Sequence, residues 1–202
     1  MYTGRTSYPG ESDRIKNKEL ADVFRKHFLI NEEASEKDKK AQENKIAGYK
    51  KINKFPARHN GEEGLKVFIE NLENSIHSPD PMDVEYITRF EMQYHTPDIL
   101  ITNYSMLEYM LMRKKESKIW EDTKTWLSAS EENKLLIVLD EAHMYRGSSG
   151  GEIALLIDRL ISRLEIGLDK VQFILTTASM PSDSNDSIKN FFNNLTGKNF
   201  DD

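Results

Sequence analysis

In Lys134-Leu135-Leu136-Ile137-Val138-Leu139-Asp140-Glu141-Ala142-His143 an unbroken apolar run, residues 135–139, is followed by two adjacent carboxylates. A short continuous apolar run bounded by polar residues reads as a strand buried in a sheet. Working outward, residues 151–164 carry Ile153, Leu156, Ile157, Leu160, Ile161 and Leu164 on one helical face. Val171-Gln172-Phe173-Ile174-Leu175-Thr176 is a second apolar strand, and Asp98-Ile99-Leu100-Ile101-Thr102 has the character of a third. Residues 104–113 read as a helix, with Ser105 and Glu108 at the spacing of a capping box. Strand, helix, strand, helix, strand in this order predicts an α/β fold, a parallel sheet with helices on both faces. In such sheets ligands collect beyond the carboxyl ends of the strands. The residues that follow each strand therefore carry the functional interest.

Asp140 and Glu141 follow the strongest strand. A hard cation such as magnesium takes carboxylate oxygen, often through water. A second carboxylate beside it can orient or deprotonate the attacking water in phosphoryl transfer. The same pair also fits a solvated strand end or a cap for the next helix. Arg146-Gly147-Ser148-Ser149-Gly150-Gly151 is a small basic loop leading into a helix. It fits a simple turn, and it also fits an anion or nucleic-acid backbone contact through Arg146.

The rest of the chain differs in character. Residues 1–11, with Tyr2-Thr3-Gly4-Arg5-Thr6 before Pro9-Gly10, read as a strand end and a turn. Residues 12–95 are charge-dense and mostly helical. Residues 32–51 are rich in Lys, Glu, Gln and Asn, the pattern of a solvated helix or mobile insertion. Their lysines could meet a phosphate backbone, but interspersed acids oppose that. Residues 64–76 place Leu65, Phe68, Ile69, Leu72 and Ile76 on one stripe, a packed helix closed by Ser78-Pro79-Asp80-Pro81. Trp120 and Trp126 lie in a polar stretch and read as surface packing.

The 202 residues carry 28 basic and 34 acidic side chains, a net charge of −6, so a nucleic-acid contact would have to be a local patch. There is no cysteine, which removes disulfides, thiolate zinc sites and cysteine nucleophiles. His27, His59, His77 and His95 share no metal-ligand spacing. No run approaches the roughly 18 apolar residues of a membrane span, and the amino end has no apolar signal region. These features lead to the expectation of a cytoplasmic protein with no membrane partner.

Asp140-Glu141-Ala142-His143 matches helicase motif II letter for letter. Pro97-Asp98-Ile99-Leu100-Ile101-Thr102-Asn103-Tyr104-Ser105-Met106-Leu107 resembles motif Ib, and Leu175-Thr176-Thr177-Ala178-Ser179 resembles motif III, whose common form is Ser-Ala-Thr. Order and spacing agree, so the chain resembles the first RecA-like, ATP-binding lobe of superfamily 2 DEAD/DEAH-box helicases. Met144-Tyr145-Arg146-Gly147 and residues 2–6 further resemble bacterial DNA helicases of the Hrq-like repair branch and of phage defence. The resemblance covers residues 1–10 and 96–183, and residues 12–95 stand out as an insertion before a core at 96–202.

The resemblance implies ATP and Mg2+ as cofactors. Asp140 would hold magnesium through water, and Glu141 would be the catalytic base. His143 would couple the nucleotide site to motif III, with Thr177 and Ser179 flanking Ala178 as its partners. Thr102 and Asn103 would touch the backbone of a nucleic acid, DNA before RNA. No Gly-x-x-x-x-Gly-Lys-[Ser/Thr] phosphate-binding loop occurs in the sequence. The expectation is therefore a fragment that needs the remainder of a helicase chain. The competing expectation is a degenerate lobe that binds nucleic acid or protein without turnover. A small-molecule enzyme on an unrelated doubly wound sheet ranks below both.

Overall fold

The computed structural model describes residues 14–177 and 185–199. It divides into two compact units, residues 1–100 and 101–202. The division falls a few residues beyond the change in sequence character near Thr96.

The first unit is helical. Its elements are α1 (Arg14–Phe28), α2 (Glu36–Lys51), α3 (Glu62–Glu73) and α4 (Arg89–Tyr94). Ala21, Phe24 and Phe28 of α1 pack on Leu65, Ile69 and Leu72 of α3. Phe24 meets Phe68 edge to face at 5.2 Å, and Phe28 lies 5.4 Å from Tyr49 and 5.8 Å from Phe55. These offset and edge-on rings add to the apolar area removed from water. The solvated helix expected over residues 32–51 is α2. Ser35 caps it, accepting from the Asp38 N–H, and Ile46 is its buried residue. The stripe on α3 is shorter than its periodicity suggests. The helix stops at Glu73, Ser75 adopts a left-handed backbone, and Ile76 is left half-exposed.

The second unit is mixed α/β. It contains α5 (Tyr104–Met112), α6 (Ser117–Ala129), β1 (Leu135–Leu139), α7 (Ser148–Leu164), β2 (Val171–Leu175) and α8 (Asn185–Thr196). β1 and β2 pair in parallel, with Leu135 opposite Val171 and Leu139 opposite Leu175. The side chains alternate across the sheet. Ile137, Leu139, Phe173 and Leu175 face a core built on Ile153 and Ile157 of α7 and Leu195 of α8. Leu136, Val138 and Ile174 line the opposite face and are about half-exposed. The apolar positions of α7 behave as their spacing requires: Ile153, Leu156, Ile157, Leu160 and Leu164 are buried.

Three expectations are corrected here. Residues 98–102 do not form a strand. They hold one isolated bridge, at Thr102, and Ile99 and Ile101 are exposed. An apolar run becomes a strand only where a neighbour supplies its ladder, and the described sheet has two strands. The cap of α5 is Asn103, whose side chain accepts from Met106 N–H; Ser105 is already helical. Glu108 pairs with Arg159 at 2.9 Å instead of closing a capping box. Trp120 is buried, its Nε1 donating to the Met110 carbonyl at 3.1 Å, whereas Trp126 is exposed. Among the described residues no helix is long and apolar enough to cross a membrane.

Candidate active site

The two parallel strands stay locked together beyond their last ladder pair. Thr176 N–H donates to the Leu139 carbonyl at 3.0 Å, and Ala142 N–H donates to the Thr176 carbonyl at 2.8 Å. Asp140 falls on the same side of the sheet as Leu136 and Val138, and Thr176 on the same side as Ile174, by strict alternation. The pair that follows Leu139 and Leu175 therefore sets the Asp140 carboxylate beside the Thr176 hydroxyl. Thr176 Oγ1 donates to Asp140 Oδ1 at 2.5 Å, and the Glu141 N–H donates to the same oxygen at 3.0 Å. Oδ2 accepts no hydrogen bond among the described residues.

Glu141 ends the strand abruptly. Its backbone is left-handed, φ 52 and ψ 43. A side-chain-bearing residue there costs about 1–2 kcal/mol, and such strain collects at functional sites. A single 3-10 turn, Ala142–Met144, follows, with Ala142 buried as its anchor. The turn folds His143 back on its neighbours. His143 Nδ1 lies 3.2 Å from Glu141 Oε2 and 2.9 Å from Thr177 Oγ1. With a proton on Nδ1 the ring donates to the carboxylate; without it, Nδ1 accepts from the threonine hydroxyl.

The structure thus gathers Asp140, Glu141, His143 and Thr177 at the carboxyl ends of β1 and β2. It adds Thr176, which the sequence reading passed over. A hydroxyl at the end of an apolar strand reads as an ordinary β-former, and only the strand register shows its partner. Ala178 and Ser179 lie outside the described residues, as do residues 1–11.

Thr102 and Asn103 are placed at the amino end of α5. Here Asn103 has a structural duty, its Oδ1 accepting from the Met106 N–H at 2.9 Å. Asn103→Ala is expected to cost about 1 kcal/mol of stability in urea unfolding, and Asn103→Ser to keep most of it. A nucleic-acid contact by Asn103 is visible as weaker binding in Asn103→Ser, where the cap survives. The Glu152 carboxylate beside Tyr104 holds that phenol above its usual range. Arg146 sets its guanidinium over the Phe191 ring, 5.7 Å from the centroid. Gly147 follows with φ 64 and leads into α7. At Gly150 a Cβ would sit 2.5 Å from the Tyr145 carbonyl oxygen, so the first turn of α7 closes tightly on the loop.

Among the described residues, no group of three or more His, Asp or Glu side chains could hold a metal by itself. Exposed Asp140 and Glu141 suit a cation that keeps water and phosphate oxygens for most of its coordination, as magnesium does beside a nucleotide.

The DEAD/DEAH box helicase family model matches residues 62–187. The chain belongs to the DEAD/DEAH box helicase family. The match begins at the start of α3, inside the stretch that reads as an insertion. The chain is 44% identical over 195 residues to Druantia protein DruE of Escherichia coli (strain UMEA 4076-1), covering 90% of this chain and 10% of that protein. It therefore spans about a tenth of the length of that curated relative. No solved structure matches it.

Proposed function

We propose that this chain is the water-activating and magnesium-holding part of an ATP-dependent helicase or translocase of the cytoplasm that moves on DNA in preference to RNA. The observation that supports it best is the gathering of Asp140, Glu141, His143 and Thr177 at the ends of two parallel strands, with His143 Nδ1 within 3.2 Å of both Glu141 Oε2 and Thr177 Oγ1. No Gly-x-x-x-x-Gly-Lys-[Ser/Thr] phosphate-binding loop lies within these 202 residues, so on this reading the phosphate cradle is supplied from outside them.

The roles follow from chemistry. Bound magnesium neutralises charge on the nucleotide phosphates. Asp140 would hold it, with Oδ2 as the oxygen left open by its other hydrogen bonds. Glu141 orients the attacking water and takes its proton. His143 touches both Glu141 and Thr177, so a change in the protonation or position of the base is felt at motif III. Ala178 and Ser179 continue that motif. Thr102, Asn103 and Arg146 contact the nucleic-acid backbone, which positions the strand without reading its sequence. The preference for DNA rests on the likeness of Met144-Tyr145-Arg146-Gly147 to bacterial DNA helicases.

The absence of a Gly-x-x-x-x-Gly-Lys-[Ser/Thr] loop from the sequence favours a second reading, a lobe that binds nucleic acid or protein and never turns over ATP. One measurement is common to both readings, and a second separates them. The purified chain is expected to hydrolyse ATP at background rate; turnover by the chain that disappears in Glu141→Gln would overturn that. In the full-length protein, DNA-stimulated hydrolysis supports the helicase. Salt-dependent DNA binding that nucleotide leaves unchanged supports the binding module.

A further inference from the structure

We infer that Thr176 is a positioning residue for the magnesium-holding carboxylate, its hydroxyl fixing the rotation of Asp140 so that Oδ2 is the oxygen presented to the cation. This rests on the reading of Asp140 given above.

Four observations carry it. Thr176 is itself held, its N–H on the Leu139 carbonyl and its own carbonyl accepting from Ala142 N–H. Its side chain is β-branched and so stiff at χ1, which keeps the hydroxyl where the backbone puts it. The hydroxyl and the Glu141 N–H both bond to Oδ1, at 2.5 and 3.0 Å, so one oxygen of the carboxylate is taken by two donors. Hydrogen bonds to an ionised acceptor are short and strong, and two donors on one oxygen fix the plane of the group. What remains for a cation is Oδ2. Partners that orient a metal-holding side chain are typically worth about 10- to 100-fold in metal affinity.

Thr177, one residue on, serves a different group, lying against His143. Adjacent hydroxyls at the end of β2 thus divide the work, Thr176 on the acid and Thr177 on the histidine. Valine matches threonine in shape and strand preference, so Thr176→Val removes the hydroxyl with the least other change.

The test uses the 202-residue chain and Mn2+ alone as the probe. Paramagnetic broadening of the Glu141 and Ala142 amide signals is followed as Mn2+ is added. Thr176→Val and Thr176→Ala are expected to need about 10-fold more Mn2+ for equal broadening. Thr176→Ser, which restores the hydroxyl, is expected to stay within about twofold of the unaltered chain. Asp140→Asn is expected to abolish the local broadening. If Asp140→Asn abolishes it while both hydroxyl-free variants match the unaltered chain, the role of Thr176 is wrong and that of Asp140 stands. If Asp140→Asn leaves the broadening unchanged, the Asp140 reading fails and takes this inference with it. A loss in Thr176→Val that Thr176→Ser shares in full also overturns it, because the hydroxyl is then not the cause.

Discussion

Glu141→Gln, on the helicase reading proposed above, is expected to lower ATP turnover of the full-length protein by about 10²- to 10⁴-fold, the usual worth of a positioned general base. Nucleotide binding is expected to survive. Glutamine keeps the volume of glutamate and an oxygen that can accept from His143, but it cannot take a proton from water. The protein's fold has little stake in the change. The Glu141 side chain is 48% exposed, and the turn around it is anchored by buried Ala142 and by the Ala142 N–H bond to the Thr176 carbonyl. Unfolding free energies in urea should therefore agree within about 0.5 kcal/mol, the range of surface changes. Rapid-quench measurement of a single turnover separates chemistry from product release and places the loss on the chemical step. Full turnover in Glu141→Gln would falsify the assignment of the base.

The parts of the fold that repeat a simple period were legible. The apolar runs of β1 and β2 and the 3.6-residue stripe of α7 need no partner to be recognised, because each carries its own signal. Residues 98–102 carry the same kind of signal, yet they hold a single bridge. Apolar character shows what a segment can bury, whereas a ladder depends on what lies beside it. Sequence spacing points to Ser105 as the cap of α5, two residues from the observed Asn103, because both are good caps and backbone dihedrals decide between them. In the candidate site, Asp140, Glu141 and His143 were visible as a motif. The left-handed backbone at Glu141 was not, since glutamate gives no hint of it. Thr176 was hidden for another reason: its partner lies 36 residues away in sequence, and only the register of β1 against β2 brings them together.

The largest expected loss of stability lies in the first unit, at a residue that no motif marks. Arg58 is buried with two carboxylates. Its Nη1 donates to Asp83 Oδ2 at 2.7 Å and its Nη2 donates to Glu91 Oε1; their side chains are 6% and 3% exposed. Its guanidinium lies over the Phe68 ring, 4.2 Å from the centroid. Both acids are committed elsewhere as well. Glu91 Oε2 accepts from the Ile87 and Thr88 N–H groups at 3.0 and 2.8 Å, closing the capping box of α4. Asp83 Oδ1 accepts from the His59 N–H at 2.9 Å. Burial lowers the His77 imidazole on the same wall, with Glu91 opposing, so it does not replace the lost charge near neutral pH. Arg58→Ala is therefore expected to cost about 3–5 kcal/mol in urea unfolding, the cost of leaving buried charge without its partner. Arg58→Met keeps an apolar stem against Phe68 and isolates the electrostatic share. Adding Asp83→Asn and Glu91→Gln to Arg58→Met is expected to recover part of the loss, since the uncompensated charges are then gone. A loss below about 1 kcal/mol in Arg58→Met would mean that the two carboxylates find water in solution and that the capping box alone holds α4 in place.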